Sequence, residues 1–243
     1  MSDPIEIKKN EARRFILMHH GLYPPRQNYG EKGILDFIKK VGGIQFDPIN
    51  IIGRNPDLVL QSRVKNYQPK LLDDLLYKKR YLIDGWVKMA SIYSITDWPY
   101  FTRRRALMST PGVDHRQPPE STLDEVLNNI RTRGPLSSLD FDDNSIVDWH
   151  WGPTKLIRAA LESLNSMSKI GVHHRISNRR YFDITDKLIP KVLLAMEDPF
   201  QTDNAYQEWH ILRRIGSMGL VNSKSGDFWL GIIGVKSKER NSK

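Results

Sequence analysis

The chain of 243 residues contains no cysteine and no long apolar segment. The lack of cysteine excludes disulfide scaffolds, cysteine-ligated zinc, iron–sulfur clusters and thiol catalysis. No apolar run approaches the ~18–20 residues that a membrane-spanning helix requires, and the N-terminal segment lacks the apolar region of a secretory signal. These absences predict a cytoplasmic protein that does not enter a membrane.

Sequence signatures of metal and nucleotide sites are also missing. The chain has no His-Glu-x-x-His motif and no glycine-rich phosphate loop that ends in Lys-Ser/Thr. The pairs His19-His20 and His173-His174 are adjacent in sequence, so their side chains diverge on a helix or a strand. Four acidic residues could bind a hard cation, but an acidic loop or a helix cap explains them as well: Asp140, Asp142, Asp143 and Asp148. We therefore predict no metal and no cofactor.

Positive charge is in clear excess. Lys and Arg number 37 against 28 Asp and Glu, a formal net charge of +9, while 39% of the residues are hydrophobic. Such a chain can fold around a hydrophobic core, and its charge favours a polyanionic partner. The distribution of charge strengthens this prediction, because residues 153–183 hold six basic residues and two acidic ones.

The periodicity of residues 119–200 predicts a winged helix, a variant of the helix-turn-helix. Apolar stripes indicate helices at 121–133 and 153–166, with a Gly-Pro turn and a short helix at 139–141 between them. Strand-like runs at 170–175 and 180–184 form a hairpin. An ordinary small α+β domain is the alternative. The N-terminal part has predicted helices at 5–21, 31–41, 56–65, 69–79 and 96–109, with strands within 80–94.

The fold class that follows from these patterns is mainly α with short β hairpins (α+β). Residues 1–112 form the first predicted domain, and the proline-rich segment 111–119 is the linker. Residues 119–200 form the second domain. Residues 201–243 hold a predicted helix at 203–219 and a predicted strand at 228–235.

In a winged helix, the last helix enters the major groove and the hairpin contacts the backbone. The predicted DNA-contacting residues of this domain lie on those two elements: Lys155, Arg158, His174, Arg175, Arg179 and Arg180. A basic face that contacts only solvent is the alternative. Trp86 in the first domain is a candidate for stacking on bases, although aromatic residues near helices are more often part of the core.

The segment Gln45-Phe46-Asp47 lies between two glycines and a proline. In an extended backbone, residues two apart face the same side, so Gln45 and Asp47 would point together while Phe46 packs in the core. An amide can orient a water molecule and a carboxylate can accept its proton. Taken alone, the motif is a weak signal of catalysis, because an Asp-Pro pair also commonly opens a turn.

The run GGIQFDPINIIGRNPDLVLQSRVKNY, residues 42–67, closely resembles the bacterial YcaQ/AlkZ-like family of alkylpurine and crosslink-repair DNA glycosylases. Gln45-Phe46-Asp47 meets the family signature, Gln-hydrophobic-Gln/Asp. Further matches follow in the family's order: the segment around Trp86, the Gly-Pro turn at 133–141, the helix start at 149–155 and the hairpin residues 181–183. The resemblance covers residues 5–220.

This resemblance implies a monofunctional glycosylase, with tandem winged-helix domains curved around DNA and with Gln45 and Asp47 as the catalytic pair. The substrate would be double-stranded DNA with N7- or N3-alkylated purines or crosslinks. The enzyme would be a nucleoid-associated monomer that needs no metal or cofactor. Further DNA contacts are predicted at Arg54, Arg63 and Lys88.

The chain departs from the family at two points. Many relatives carry a His-Glu pair after the matched Trp, where this chain has Lys88 and Met89. Relatives also continue into a complete third winged helix and a β-rich domain, which implies that residues 201–243 are the start of a truncated third module. A non-catalytic winged-helix DNA-binding protein, truncated or degenerate, is therefore the alternative function.

Overall fold

The computed structural model describes residues 5–47, 49–150, 152–222, 229 and 232. Within these residues ten α-helices occur: α1 (Lys9–His19), α2 (Gly30–Val41), α3 (Asn55–Gln61), α4 (Pro69–Asp73), α5 (Thr102–Met108), α6 (Glu120–Arg133), α7 (Leu156–Ser166), α8 (Thr185–Leu188), α9 (Lys191–Leu194) and α10 (Asp203–Met218). A π-helical turn, Asp74–Lys78, extends α4, and a 3-10 segment, Ile95–Phe101, precedes α5.

The strands among the described residues are short. They are β1 (Asn28–Tyr29), β2 (Ile44–Gln45), β3 (Val64–Lys65), β4 (Leu82–Trp86), β5 (Ala90–Ser94), β6 (Ile146–Val147), β7 (Thr154–Lys155), β8 (Ile170–Ile176) and β9 (Arg179–Ile184). The prediction that helices combine with short antiparallel strands is confirmed.

The chain divides into two compact units. Residues 1–75, 87–94 and 200–243 form the first unit, and residues 76–86 and 95–199 form the second. The sequence-based domains at 1–112, 119–200 and 201–243 stay a prediction.

In the first unit, α2 supplies much of the core. Ile34, Phe37, Ile38 and Val41 are buried at the i, i+3, i+4 and i+7 positions of one helical face. The helix ends at Gly42, whose φ of 73° lies in the left-handed region that favours glycine at a helix C-terminus. β2 then pairs antiparallel with β5, and β1 pairs parallel with β3.

In the second unit, α6, α7 and the hairpin β8–β9 share one core. Its buried members come from all of these elements: Leu123, Val126, Ile130, Leu136, Ile157, Ala160, Leu161, Leu164, Ile170, Val172 and Phe182. Leu136 and Phe182 exchange backbone hydrogen bonds of 3.0 and 2.7 Å, which attach the segment after α6 to the hairpin. The apolar stripes that predicted these helices therefore form the interior of one packed unit.

Several predicted elements differ from the structure. The segment 139–141 is a turn rather than a helix, because Asp140 Oδ2 accepts hydrogen bonds from the backbone N–H and hydroxyl of Ser137, both 2.7 Å. The predicted helix 56–65 ends at Gln61, and Val64 and Lys65 form β3 instead. Apart from Trp229 and Ile232, the predicted strand 228–235 lies outside the described residues. None of the described helices has both the length and the apolar character to cross a bilayer.

Candidate active site and nucleic-acid interface

The Gln45-Phe46-Asp47 segment leaves α2 as an extended strand. Gln45 pairs with Ser91 of β5, and the Phe46 N–H donates to the carbonyl of Ala90 at 2.8 Å. Phe46 is only 2% exposed, whereas Gln45 is exposed and Asp47 is half-buried. The core thus fixes the segment through Phe46 and keeps both polar side chains out of the interior, as the alternation predicts.

The Asp47 carboxylate is oriented by its own turn. Its Oδ1 accepts a hydrogen bond from the backbone N–H of Ile49 at 2.8 Å. A bond of this kind, from a side chain to the backbone two residues on, is an Asx turn. It restricts the carboxylate while leaving its charge in place.

Gln45 lies on the wall of a cleft of about 160 Å³ within the first unit. The cleft is lined by Val41, Gly42, Gly43, Gln45, Val87, Lys88, Met89, Ser91, His210, Arg213, Arg214 and Ser217. Three of these residues carry a positive charge, and none of the described lining residues carries a carboxylate. Asp47 is not part of this lining, so the cleft contains only the amide member of the motif.

Lys88 and Met89, which replace the family's His-Glu pair, line the same cleft as Gln45. They lie in a tight turn in which the Val87 N–H donates to the carbonyl of Met89 at 3.1 Å. The backbone carbonyl of Met89 also accepts a 2.8 Å hydrogen bond from the Ser91 hydroxyl. The sequence departure therefore falls at the wall of the cleft, where Lys88 adds a cation and Met89 adds an apolar side chain.

Arg213 and Arg214 of α10 were not predicted as site residues, although they line this cleft. The Arg-Arg pair is visible in the sequence, but its position beside Gln45 depends on contacts across about 170 residues. His210 lies on the same helix and is 1% exposed. A pattern in the local sequence could not have placed this helix at the cleft.

Arg54, a predicted DNA contact, is engaged within the first unit. Its guanidinium donates to Asp57 at 2.5 and 3.0 Å and to Asp73 at 2.8 Å, with 15% of the side chain exposed. Burial alone would lower the pKa of Arg54, but the two carboxylates outweigh burial and raise it. Tyr67 also donates to Asp57, and burial and that bond raise its pKa. This network fixes the start of α3.

Arg63 is likewise held by its neighbours. Its Nη1 donates to the Val59 carbonyl at 2.9 Å and to the Ser62 hydroxyl at 2.7 Å. The guanidinium carbon lies 5.2 Å from the centroid of the Phe37 ring. Burial lowers the pKa of Arg63. These contacts give Arg63 a packing role, and we leave it and Arg54 out of the proposed interface.

In the second unit, three predicted DNA contacts are exposed: Lys155, Arg158 and Arg179. Lys155 precedes α7 and donates to the side-chain oxygen of Asn144 at 2.8 Å. Arg158 is on the first turn of α7, and Arg179 begins β9. Trp86 ends β4 and is 37% exposed. Helix α7 and the hairpin β8–β9 thus each present an exposed cation.

Three other predicted contacts of this unit are engaged internally. Arg175 is 7% exposed at its side chain and binds Asp84. Arg180 forms an ion pair with Glu162 and lies 5.1 Å from the ring centroid of Phe182. His174 stacks on Tyr181 with 4.6 Å between ring centroids. These residues stabilise the hairpin, so the proposed interface rests on the exposed cations.

The acidic cluster is explained by local hydrogen bonds. Asp140 accepts hydrogen bonds from the hydroxyl and from the backbone N–H of Ser137, and these bonds lower the pKa of Asp140. Asp143 accepts from the Ser145 N–H at 2.6 Å. Across the described ranges, no group of three or more His, Cys, Asp or Glu side chains has an arrangement that could hold a metal ion.

Comparison with known proteins agrees with the sequence resemblance. The chain superimposes on the DNA glycosylase AlkZ of Streptomyces sahachiroi with a TM-score of 0.55 and 12% sequence identity, over 94% of this chain. It spans 62% of the length of that protein. The family described as DNA glycosylase AlkZ-like matches residues 38–241. The Gln-Phe-Asp motif, the fold and this match agree, and the chain belongs to the AlkZ-like DNA glycosylase family.

Proposed function

We propose that this protein is a monofunctional DNA glycosylase that hydrolyses the N-glycosidic bond of N7- or N3-alkylated purines. The observation that carries the proposal is the Gln45-Phe46-Asp47 segment, anchored by buried Phe46 at the edge of a cationic cleft. Membership in the AlkZ-like family supports it.

The chemistry suits these side chains. An N7- or N3-alkylated purine is already cationic, so it leaves without protonation and needs no strong general acid. Negative charge near the developing oxocarbenium ion lowers the barrier, and a positioned water completes the reaction. Asp47 would supply the charge and accept the water's proton, while the Gln45 amide would orient the water or the lesion.

The bond changes balance without a redox partner. The water oxygen bonds to C1′ of the sugar as the bond from C1′ to the purine nitrogen breaks, and the bonding pair leaves with the purine. Products are the free alkylated base and an abasic site. No lysine lies within the Gln-Phe-Asp motif, so we expect no strand cleavage.

A winged-helix role for the second unit is part of the proposal. The order α6, turn, α7 and hairpin, with Leu136 bonded to Phe182, supports it. Arg158 on α7 and Arg179 on β9 would then contact the backbone of double-stranded DNA. We propose that the protein acts as a monomer at the chromosome and that purine crosslinks are a second substrate.

The test is release of 7-methylguanine from methylated duplex DNA under enzyme excess, measured by mass spectrometry, beside an assay of crosslink unhooking. Release of the free base supports the proposal. No release, with DNA binding intact, would favour the non-catalytic binding protein. The observation that favours this alternative is the cleft beside Gln45, because no described residue of its lining carries a carboxylate.

A further inference from the structure

The cleft beside Gln45 brings together three cations from distant parts of the chain. Lys88 comes from the turn before β5, and Arg213 and Arg214 come from α10. Three cations around one small cavity create a local positive potential that favours an anion.

Arg213 is held in place from two sides. Its Nη2 donates to the carbonyl of Gly42 at the C-terminus of α2, where the helix dipole is negative. Its guanidinium carbon lies 5.4 Å from the centroid of the Trp209 ring. Gly42 permits this approach, because a Cβ there would lie 3.3 Å from the Arg213 guanidinium carbon. The guanidinium is therefore positioned before any ligand arrives.

Arg214 is half-buried beside this fixed charge. Burial, and then the positive charge of Arg213, lower the pKa of Arg214. An anion in the cleft would relieve the repulsion that this neighbour creates. Lys88 can reach the same anion from the turn of residues 87–89, and its long side chain can adjust to the position of the anion.

The dimensions of the cleft suit a single small anionic group. Its volume is about 160 Å³. The hydroxyl of Ser91 and the amide of Gln45 add polar groups to the wall. Phosphate contacts orient a nucleic acid without reading its sequence.

We propose that Lys88, Arg213 and Arg214 bind one backbone phosphate of the damaged strand and thereby place the lesion at Gln45 and Asp47. The assignment of the anion to DNA rests on the proposed glycosylase function. Arg213 and Arg214 are positioning residues in this scheme. Each neutralised phosphate contact adds about 0.9 to the magnitude of the slope of log binding constant against log salt concentration.

The test measures binding of the full chain to duplex DNA at several NaCl concentrations, by fluorescence anisotropy. The double variant Lys88→Gln with Arg214→Gln should reduce the slope by about 0.9, because it removes most of the charge that neutralises this phosphate. Each single variant should reduce the slope by a measurable part of that amount. Arg214→Lys should keep most of the slope. Lys32→Gln is the matched control, since it removes one exposed charge from α2 and should leave the slope unchanged.

Unaltered slopes in variants with wild-type melting temperatures would overturn the proposal. A second arm adds inorganic phosphate at constant ionic strength. If phosphate raises the melting temperature of the wild type but not of Arg214→Gln, while the DNA slopes are equal, the cleft holds free phosphate and the DNA assignment is wrong. Binding is measured without turnover, so failure of base release alone leaves this test intact.

A second inference comes from the loop that follows Asp47. Ile49, Ile51 and Ile52 are 64%, 88% and 85% exposed. Three solvated isoleucines within four residues form an exposed apolar cluster. Such clusters often mark interaction surfaces. The loop is fixed at both ends, by the Asp47 bond to Ile49 and by the Arg54 network.

We infer that these isoleucines insert into the base stack of duplex DNA at the lesion. DNA-bending proteins use isoleucine and leucine as wedges that partly unstack a base step. Beside Asp47, such a wedge would open the stack where the glycosidic bond is attacked. This inference also depends on the proposed glycosylase function.

The experiment compares release of 7-methylguanine from duplex and from single-stranded substrate. Ile51→Ser with Ile52→Ser should slow release from the duplex and leave release from the single strand unchanged. Val192→Ser, at a 70% exposed apolar position of α9, is the control. Equal losses on both substrates, or none on either, would overturn the wedge. If the wild type releases no base, 2-aminopurine fluorescence beside the lesion reports unstacking independently of activity.

Discussion

The guanidinium of Arg175 forms two hydrogen bonds with the carboxylate of Asp84, 2.7 Å from Nε to Oδ2 and 3.1 Å from Nη2 to Oδ1. The two side chains are 7% and 4% exposed. Tyr77 donates a further bond of 2.8 Å to Asp84, and burial and the Asp84 charge raise the pKa of Tyr77. Arg175, which the sequence predicted to contact DNA, is thus part of the interior of the second unit.

Asp84→Ala should lower the free energy of unfolding by about 3–5 kcal/mol, because it leaves the Arg175 charge buried and uncompensated. Urea denaturation measures this loss. Arg179→Ala, on the same hairpin but exposed, should change stability by no more than about 0.5 kcal/mol. A small effect of Asp84→Ala, equal to that of the control, would show that the pair is not a structural element.

DNA binding by the second unit should depend on its exposed arginines. Arg158→Gln and Arg179→Gln should each reduce the salt slope of duplex binding by about 0.9, and the double variant by about twice as much. Arg131→Gln removes an exposed charge from α6 and serves as control. If both single variants kept the wild-type slope, α7 and the hairpin would not contact the backbone.

Stability should decrease as the solution becomes acidic. The predicted divergence of the His173 and His174 side chains is wrong: their Nδ1 atoms lie 2.8 Å apart, where a bulge between Val172 and His174 interrupts the strand. One of the two nitrogens must accept this hydrogen bond, so at least one ring is neutral. Burial, followed by the charge of Arg80, lowers the pKa of both rings. Because the unfolded chain binds protons at the ordinary pKa of about 6.5 before the folded chain does, stability falls as the pH drops through that value.

Melting temperatures between pH 7.5 and pH 5.5 measure this dependence. The variant His173→Gln with His174→Gln should show a flatter profile than the wild type. His20, whose pKa burial also lowers, is unchanged in this variant and accounts for part of the remaining slope. Parallel profiles would show that the histidine pair does not couple folding to protonation.

Local patterns predicted much of the fold. The stripe Leu123, Val126 and Ile130 marked α6, and the alternation of burial around Phe46 followed from an extended backbone. These features depend on residues a few positions apart, where the period of a helix or strand is decisive. The turn at 139–141 was missed because a side chain of Asp140 replaces the helical hydrogen bonds there.

The surroundings of the candidate site could not be predicted in the same way. Arg175 meets Asp84 across 91 residues, and Arg213 meets Gly42 across 171. A basic residue in sequence looks the same whether it faces DNA or a buried carboxylate. Gln45 and Asp47 could be proposed from the sequence because they lie two residues apart, whereas the positions of the cations around Gln45 depend on tertiary packing.

The most direct test of the glycosylase assignment is single-turnover release of 7-methylguanine by Asp47→Asn beside the wild type. Asparagine keeps the side-chain oxygen that accepts the Ile49 N–H, so the turn is preserved while the charge is lost. Removing a general base should slow release by about 100-fold or more while DNA affinity is retained. A wild-type rate in Asp47→Asn would contradict the role of this carboxylate.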